Sequence, residues 1–143
     1  MDVLLGVGND ANGDDGIGPW IARRFNSEKW HAIDCFTVPE NYTGDIKRLQ
    51  PRRIVIVDAA DMDLQPGSIR VIPRDSIGSA TFSTHAMPLS MFIDYLDDVT
   101  DAEVTLIGIQ PRRFDSMSSE VRNAGIRLLE MLRSDSIGDL PRL

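Results

Sequence analysis

Apolar residues recur along the chain in two alternating rhythms. Val3–Val7 (VLLGV), Arg53–Val57 (RIVIV) and Val104–Ile109 (VTLIGI) are short, nearly continuous apolar runs, the pattern of strands buried on both faces in a parallel sheet. Between them the spacing lengthens to a helical one. Ile17, Trp20, Ile21 and Phe25 stand at offsets of 0, 3, 4 and 8, and Leu89, Phe92, Ile93 and Leu96 at 0, 3, 4 and 7, each the apolar stripe of an amphipathic helix. Pro19 falls in the first turn of one helix and Pro88 leads into the other, where a missing amide costs little. Val121, Gly125, Leu128 and Leu132 place a last helix between about Ser118 and Arg133, and the tail Ser134–Leu143 reads as frayed.

The remaining elements are weaker. Trp30–Val38 (WHAIDCFTV) is predicted as the second strand, and Thr43–Leu49 as a short helix that Pro51 stops. Ser68–Ile72 (SIRVI), after the turn Gln65-Pro66-Gly67, is predicted as an edge-type strand, and the polar residues Pro73–Thr84 as the longest irregular stretch. Strands alternating with helices over short connections mean βαβ units with right-handed crossovers. The predicted class is therefore α/β, a three-layer α/β/α sandwich around a mostly parallel sheet of about five strands. With neither linker nor repeat in view, residues 1–143 are expected to form a single domain.

Composition acts by exclusion. Hydrophobic residues at 42% and charged residues at 26% are those of a soluble globular chain. Fifteen Lys and Arg against 22 Asp and Glu leave a net charge of -7, which argues against nucleic acid or an anionic membrane as partner. The single Cys35 closes no internal disulfide and supplies no thiolate cluster, which makes a reducing, cytoplasmic location the expectation. Set in an apolar strand, it reads as core rather than as a nucleophile. The N-terminus enters a glycine-rich turn without a basic region or an apolar stretch of roughly 20 residues, so neither a signal peptide nor a membrane span is expected. There is no G-x-x-x-x-G-K-[ST] loop, no G-x-S-x-G elbow and no H-E-x-x-H helix. Gly6-Val7-Gly8 lacks the third glycine of a dinucleotide fingerprint.

In an open α/β sheet ligands lie beyond the carboxyl ends of the strands, where the strand order reverses. Two acidic clusters fall there: Asp14-Asp15 after the first strand, and Asp58 with Asp61 at the end of the third. With strand order 2-1-3 those strands are neighbours about 4.8 Å apart, and the carboxylates converge. Asp14 or Asp15 read alone is also a helix N-cap, and Asp58 a turn former. Both together are harder to explain in that way, because crowded carboxylates repel unless a cation sits between them. His85 closes the long irregular stretch. A lone histidine is more often a cap or packing residue, yet two Asp and one His from three loops form a mixed oxygen and nitrogen site suited to nickel, zinc or non-haem iron. His31, beside Trp30, reads as solvated. Pro39-Glu40-Asn41 reads as a turn that adds a carboxylate and an amide to the same sheet end, where they line a peptide cleft.

Taken in order, Gly6-Val7-Gly8-Asn9, Gly13-Asp14-Asp15-Gly16-Ile17-Gly18-Pro19, Ile56-Val57-Asp58-Ala59-Ala60-Asp61 and Thr84-His85-Ala86-Met87-Pro88 resemble the nickel-iron hydrogenase maturation endopeptidases. Pro39-Glu40-Asn41 and Gly108-Ile109-Gln110-Pro111 resemble the branch serving formate-hydrogenlyase-type and archaeal deazaflavin-reducing hydrogenases. The match runs from Met1 to about Pro111. The resemblance implies removal of a short C-terminal extension from the hydrogenase large-subunit precursor after nickel insertion. It also implies metal contact by Asp15, Asp58 and His85, the residues reached from sheet geometry. One departure stands out: many members carry Asp-Gly-Gly after the second strand, where this chain has Asp34-Cys35-Phe36.

The expected activity is therefore an endopeptidase that recognises nickel held by its substrate and keeps no tightly bound cofactor of its own. An aspartic dyad of Asp15 and Asp58 fits a histidine partner and a metal less well. A receiver-like phosphoacceptor module is the alternative from another class. It wants a lysine at the end of the last core strand, where this chain has Ile109-Gln110-Pro111. A non-catalytic nickel-binding chaperone is the third reading, separated from a protease by whether the partner becomes shorter.

Overall fold

A computed structural model describes residues 1–83 and 87–143. The elements run β1 (Asp2–Gly6), α1 (Ile17–Arg24), β2 (Trp30–Asp34), α2 (Thr43–Leu49), β3 (Arg53–Asp61), β4 (Ile69–Val71), β5 (Thr81–Phe82), α3 (Leu89–Val99), β6 (Glu103–Ile109) and α4 (Ser119–Arg133), with short 3-10 turns at Gly13–Gly16, Pro39–Tyr42, Arg74–Ser79 and Ile137–Asp139. The sheet order is β2-β1-β3-β6-β4, with β5 paired to β3. β2, β1, β3 and β6 are mutually parallel; β4 and β5 are antiparallel additions.

Why the apolar runs are continuous is plain from β3. Val55, Val57 and Ala59 enter one core with Ile17 and Ile21 of α1 and Leu128 and Leu132 of α4. Ile54, Ile56 and Ala60, pointing the other way, enter a second core with Ile46 of α2 and Phe92 and Leu96 of α3. A strand with an apolar layer on each face has no polar side to alternate to. The helices sit close. A Cβ on Gly18 would lie 2.2 Å from the carbonyl oxygen of Val7 and 2.6 Å from that of Val57, so α1 rests directly on the ends of β1 and β3. Gly18→Ala is expected to lower stability by roughly 2 kcal/mol or more, as overpacking against immovable backbone does; a urea midpoint unchanged from wild type would contradict this close approach.

The α/β/α reading holds, with differences at the margins. The sheet has six strands rather than about five, because Thr81–Phe82 pairs with Ala60 and Asp61 inside the stretch read as irregular; two residues carry too little periodicity to register. β2 ends at Asp34, four residues short of the apolar run, since Phe36 takes a positive φ of 52° and turns the chain. The tail is not frayed. Ile137 is buried, Val71 donates its amide to Pro141 O (3.0 Å), and Leu143 donates to Val71 O (2.9 Å), so the last residues line up beside β4.

Candidate active site

The loop leaving β1 folds back on itself. Asn9 donates to Asp15 O (3.1 Å) and Asp15 to Asn12 O (3.1 Å), while Asn9 Oδ1 accepts the amide of Ala11 at 3.0 Å. Gly8 has φ 151°, and a Cβ there would stand 2.0 Å from Asp15 O; only glycine lets the strand end come so near. Asp15, in the 3-10 turn that follows, is 1% exposed. Asp58 is completely buried in β3, paired with the side-chain-free Gly108 of β6. It lies one residue beyond Val57, whose carbonyl accepts the Val7 amide at 2.9 Å. Asp58 thus sits within β3, three residues before its last, and Asp15 in the turn that follows the neighbouring strand β1. A third segment arrives with β5, which runs back along β3 and delivers Ser83, whose hydroxyl donates to Asp15 Oδ1. His85 lies outside the described residues. Among the described residues no group of three His, Cys, Asp or Glu side chains is placed to hold a metal.

Asp14 has a different task from its neighbour. Neither the 3-10 turn nor α1 has a side-chain cap, so the N-cap reading fails for both carboxylates. Fully buried, Asp14 accepts the amides of Arg112 (2.8 Å), Arg113 (2.9 Å) and Ser118 (2.6 Å) and the hydroxyl of Ser118 (2.8 Å). It pins the connection between β6 and α4 to the turn that carries Asp15. Ser118 in turn caps α4, its Oγ accepting from the Val121 amide at 3.3 Å. Asp61 is exposed. Hydrogen bonds from the Gln110 side chain, and secondarily from the Asp63 amide, hold its carboxyl below the ordinary range. The same Gln110 accepts from Met62 N (2.7 Å) and Leu64 N (3.3 Å), bracing the chain just beyond Asp58. Sequence reasoning saw Gln110 only as part of a motif. A glutamine between a core strand and a proline was the available signal.

On the β2 side, Cys35 is fully buried and donates its amide to Gly6 O at 2.8 Å. Burial first, then the charges of Asp34 and Glu40, push its thiol far up, so the neutral form persists at any working pH. Cys35 is expected to resist iodoacetamide in the folded protein at pH 8 and to react on unfolding; modification of the native form would refute its place in the core. Phe36 is 54% exposed and holds the left-handed conformation that the second glycine of Asp-Gly-Gly allows. Its carbonyl accepts the Gly8 amide at 2.7 Å. Phe36→Gly is expected to stabilise the fold by about 0.5–1 kcal/mol in urea unfolding, and a loss of stability would show that the ring is packed. Asp34 accepts from Phe36 N (3.1 Å) and from Arg23 (2.9 Å), and Arg23 also pairs with Asp10 (2.7 Å). Glu40 and Asn41 lie in the 3-10 turn Pro39–Tyr42; His31 is exposed, as anticipated.

The chain therefore buries one carboxylate in the turn after β1, where it accepts from the Ser83 hydroxyl, and another in the adjacent β3, with Asp14 and Gln110 bracing the backbone near them. The family described as hydrogenase maturation protease, HycI, matches residues 20–134. The Hydrogenase 3 maturation protease of Escherichia coli (strain K12) is 46% identical over 115 residues, which are 77% of this chain and 72% of that protein. The solution structure of an endopeptidase HycI from Escherichia coli superposes with a TM-score of 0.89 at 38% identity, covering 100% of this chain and 96% of that one. The crystal structure of a [NiFe] hydrogenase maturation protease HycI from Thermococcus kodakarensis KOD1 gives 0.84 at 29% identity, covering 95% and 92%.

Proposed function

This chain belongs to the hydrogenase maturation proteases, and we propose that it removes the C-terminal extension of a nickel-iron hydrogenase large-subunit precursor once nickel has been inserted. Asp15, Asp58 and His85 complete the coordination of the substrate's own nickel. The observation that carries this reading is the pair of buried carboxylates, Asp58 within β3 and Asp15 in the turn after the neighbouring strand β1. Acidic side chains withdrawn from water bind a cation strongly, because the charge they present is little screened. Ser83 supports it further by tying the chain to Asp15 two residues before His85.

Held by these side chains, the nickel fixes the scissile peptide against the site and polarises its carbonyl or the attacking water. Water oxygen adds to the carbonyl carbon, the C–N bond breaks, and the proton passes to the departing amine. One sheet carries both cores, and residues 1–143 act as one domain. No helix among the described residues is long and apolar enough to cross a membrane. We place the reaction in the cytoplasm, where a reduced Cys35 is at home.

The test compares the same purified precursor with and without nickel. The nickel-loaded form is expected to lose its tail and the nickel-free form to stay intact; equal cleavage of both would remove nickel as the recognition element. The isolated protease is expected to release added nickel on dialysis, since two carboxylates and one imidazole make an incomplete shell. Stoichiometric nickel surviving dialysis would point to a carrier instead.

A further inference from the structure

Glu40 has no part in the chemistry above, yet its Oε2 atom is buried and accepts no hydrogen bond from the described residues. A carboxylate oxygen withdrawn from water without a donor is costly, and a positively charged donor relieves both the missing bond and the charge. Two arginines of the neighbouring helices α1 and α2 are engaged elsewhere. Arg23 pairs with Asp10 and Asp34, and Arg48 with Asp45.

Its place in the fold is informative. The 3-10 turn Pro39–Tyr42 follows β2 at the carboxyl end of the sheet, and the charge of Glu40 is felt at the buried Cys35. Cys35 continues the register of β2 past Asp34, which faces Gly6; Asp58 continues that of β3 past Val57, which also faces Gly6. Cys35, Val7 and Asp58 therefore form one row across three neighbouring strands. Cys35 and Val7 pack in the core under α2 and α3, and Asp58, alternating with Ile56 and Ala60, faces the same way. Two strand spacings separate Cys35 from Asp58 by roughly 10 Å, the length of about three extended residues. The turn that carries Glu40 begins four residues after Cys35, so an extended peptide held at Asp58 and running across the strand ends toward β2 approaches it.

We propose that Glu40 is a specificity residue of the protease, its carboxylate receiving the guanidinium or ammonium group of an arginine or lysine that lies within about three residues of the cleaved bond in the precursor. The assignment rests on the reading of this chain as a processing protease of the large subunit. The net charge of -7 favours the approach of such a basic segment.

The experiment uses the full chain and its isosteric, neutral variant Glu40→Gln. Against nickel-loaded precursor the variant is expected to lose roughly tenfold or more in kcat/KM. Against a precursor whose arginines and lysines within three residues of the bond are replaced by alanine, wild type and variant are expected to cut at the same reduced rate. Equal kcat/KM of wild type and Glu40→Gln on the unaltered precursor would overturn the assignment. So would an equal loss for the variant on both precursors. Should the wild type cut no precursor at all, the processing reading fails, and a titration with N-acetyl-arginine amide followed by amide NMR then decides on Glu40 alone. Shifts at Glu40 and Asn41 that vanish in Glu40→Gln uphold the cation subsite, and shifts that are absent or persist in the variant end it.

Discussion

Replacing Asp14 by asparagine is expected to lower the stability of this protein by roughly 3–5 kcal/mol, the range for breaking a buried, fully hydrogen-bonded charge network. The side chain is inaccessible to water and its two oxygens accept four donors, three of them backbone amides. Asparagine keeps the shape but turns an amino group toward donors that have nothing to offer it. At least one of the Arg112 and Arg113 amides then loses its acceptor, or Ser118 loses its role in both the network and the α4 cap. The individual bonds do not sum, since they share one anion and one loop. The measurement is urea unfolding by circular dichroism. A fall in stability below about 1 kcal/mol would mean that the loop after β6 holds itself in place without Asp14.

How much of this was legible beforehand follows from where periodicity exists. β1, β3 and β6 were readable because both faces of each strand are covered, which leaves runs without a polar interruption. α1 and α3 were readable from four apolar residues on one stripe. β5 was not, because two residues show no period. The ordering of the tail was missed as well. It depends on main-chain bonds from Pro141 and Leu143 to Val71, and a backbone partner leaves no mark on composition.

The site divides in the same way. Strand order made β1 and β3 neighbours, as expected, and Asp15 and Asp58 follow Gly6 and Val57, the last residues paired between them. Sheet geometry did not tell Asp14 from Asp15; the family resemblance alone singled out Asp15. Both are buried acids in one 3-10 turn, and their tasks differ only in which distant residues reach them. The donors to Asp14 come from about a hundred positions along the chain, and among the described residues Ser83 donates to Asp15. Glycine at the position of Phe36 would have announced its turn; phenylalanine concealed it, although the backbone keeps the same conformation.

Asp58→Asn is expected to abolish processing, with kcat/KM on nickel-loaded precursor falling by about a thousandfold, or roughly 4 kcal/mol of transition-state stabilisation. Asparagine preserves volume and an oxygen, and the strand around it keeps its ladder to Gly108. What disappears is the charge that makes the group a strong nickel ligand. The folded state is expected to persist with a cooperative urea transition, because asparagine keeps the volume and relieves the cost of burying a charge. Asp15→Asn and His85→Ala are expected to give the same pattern. Asp14→Asn should give the reverse, a large loss of stability with activity retained per folded molecule. The adjacent residues Asp14 and Asp15 thus form an internal control, one substitution in each with opposite signatures in unfolding and in cleavage. Wild-type cleavage by Asp58→Asn would remove that carboxylate from the metal-contacting set. Loss of folding in Asp58→Asn with normal activity in the surviving fraction would make it a structural acid like Asp14.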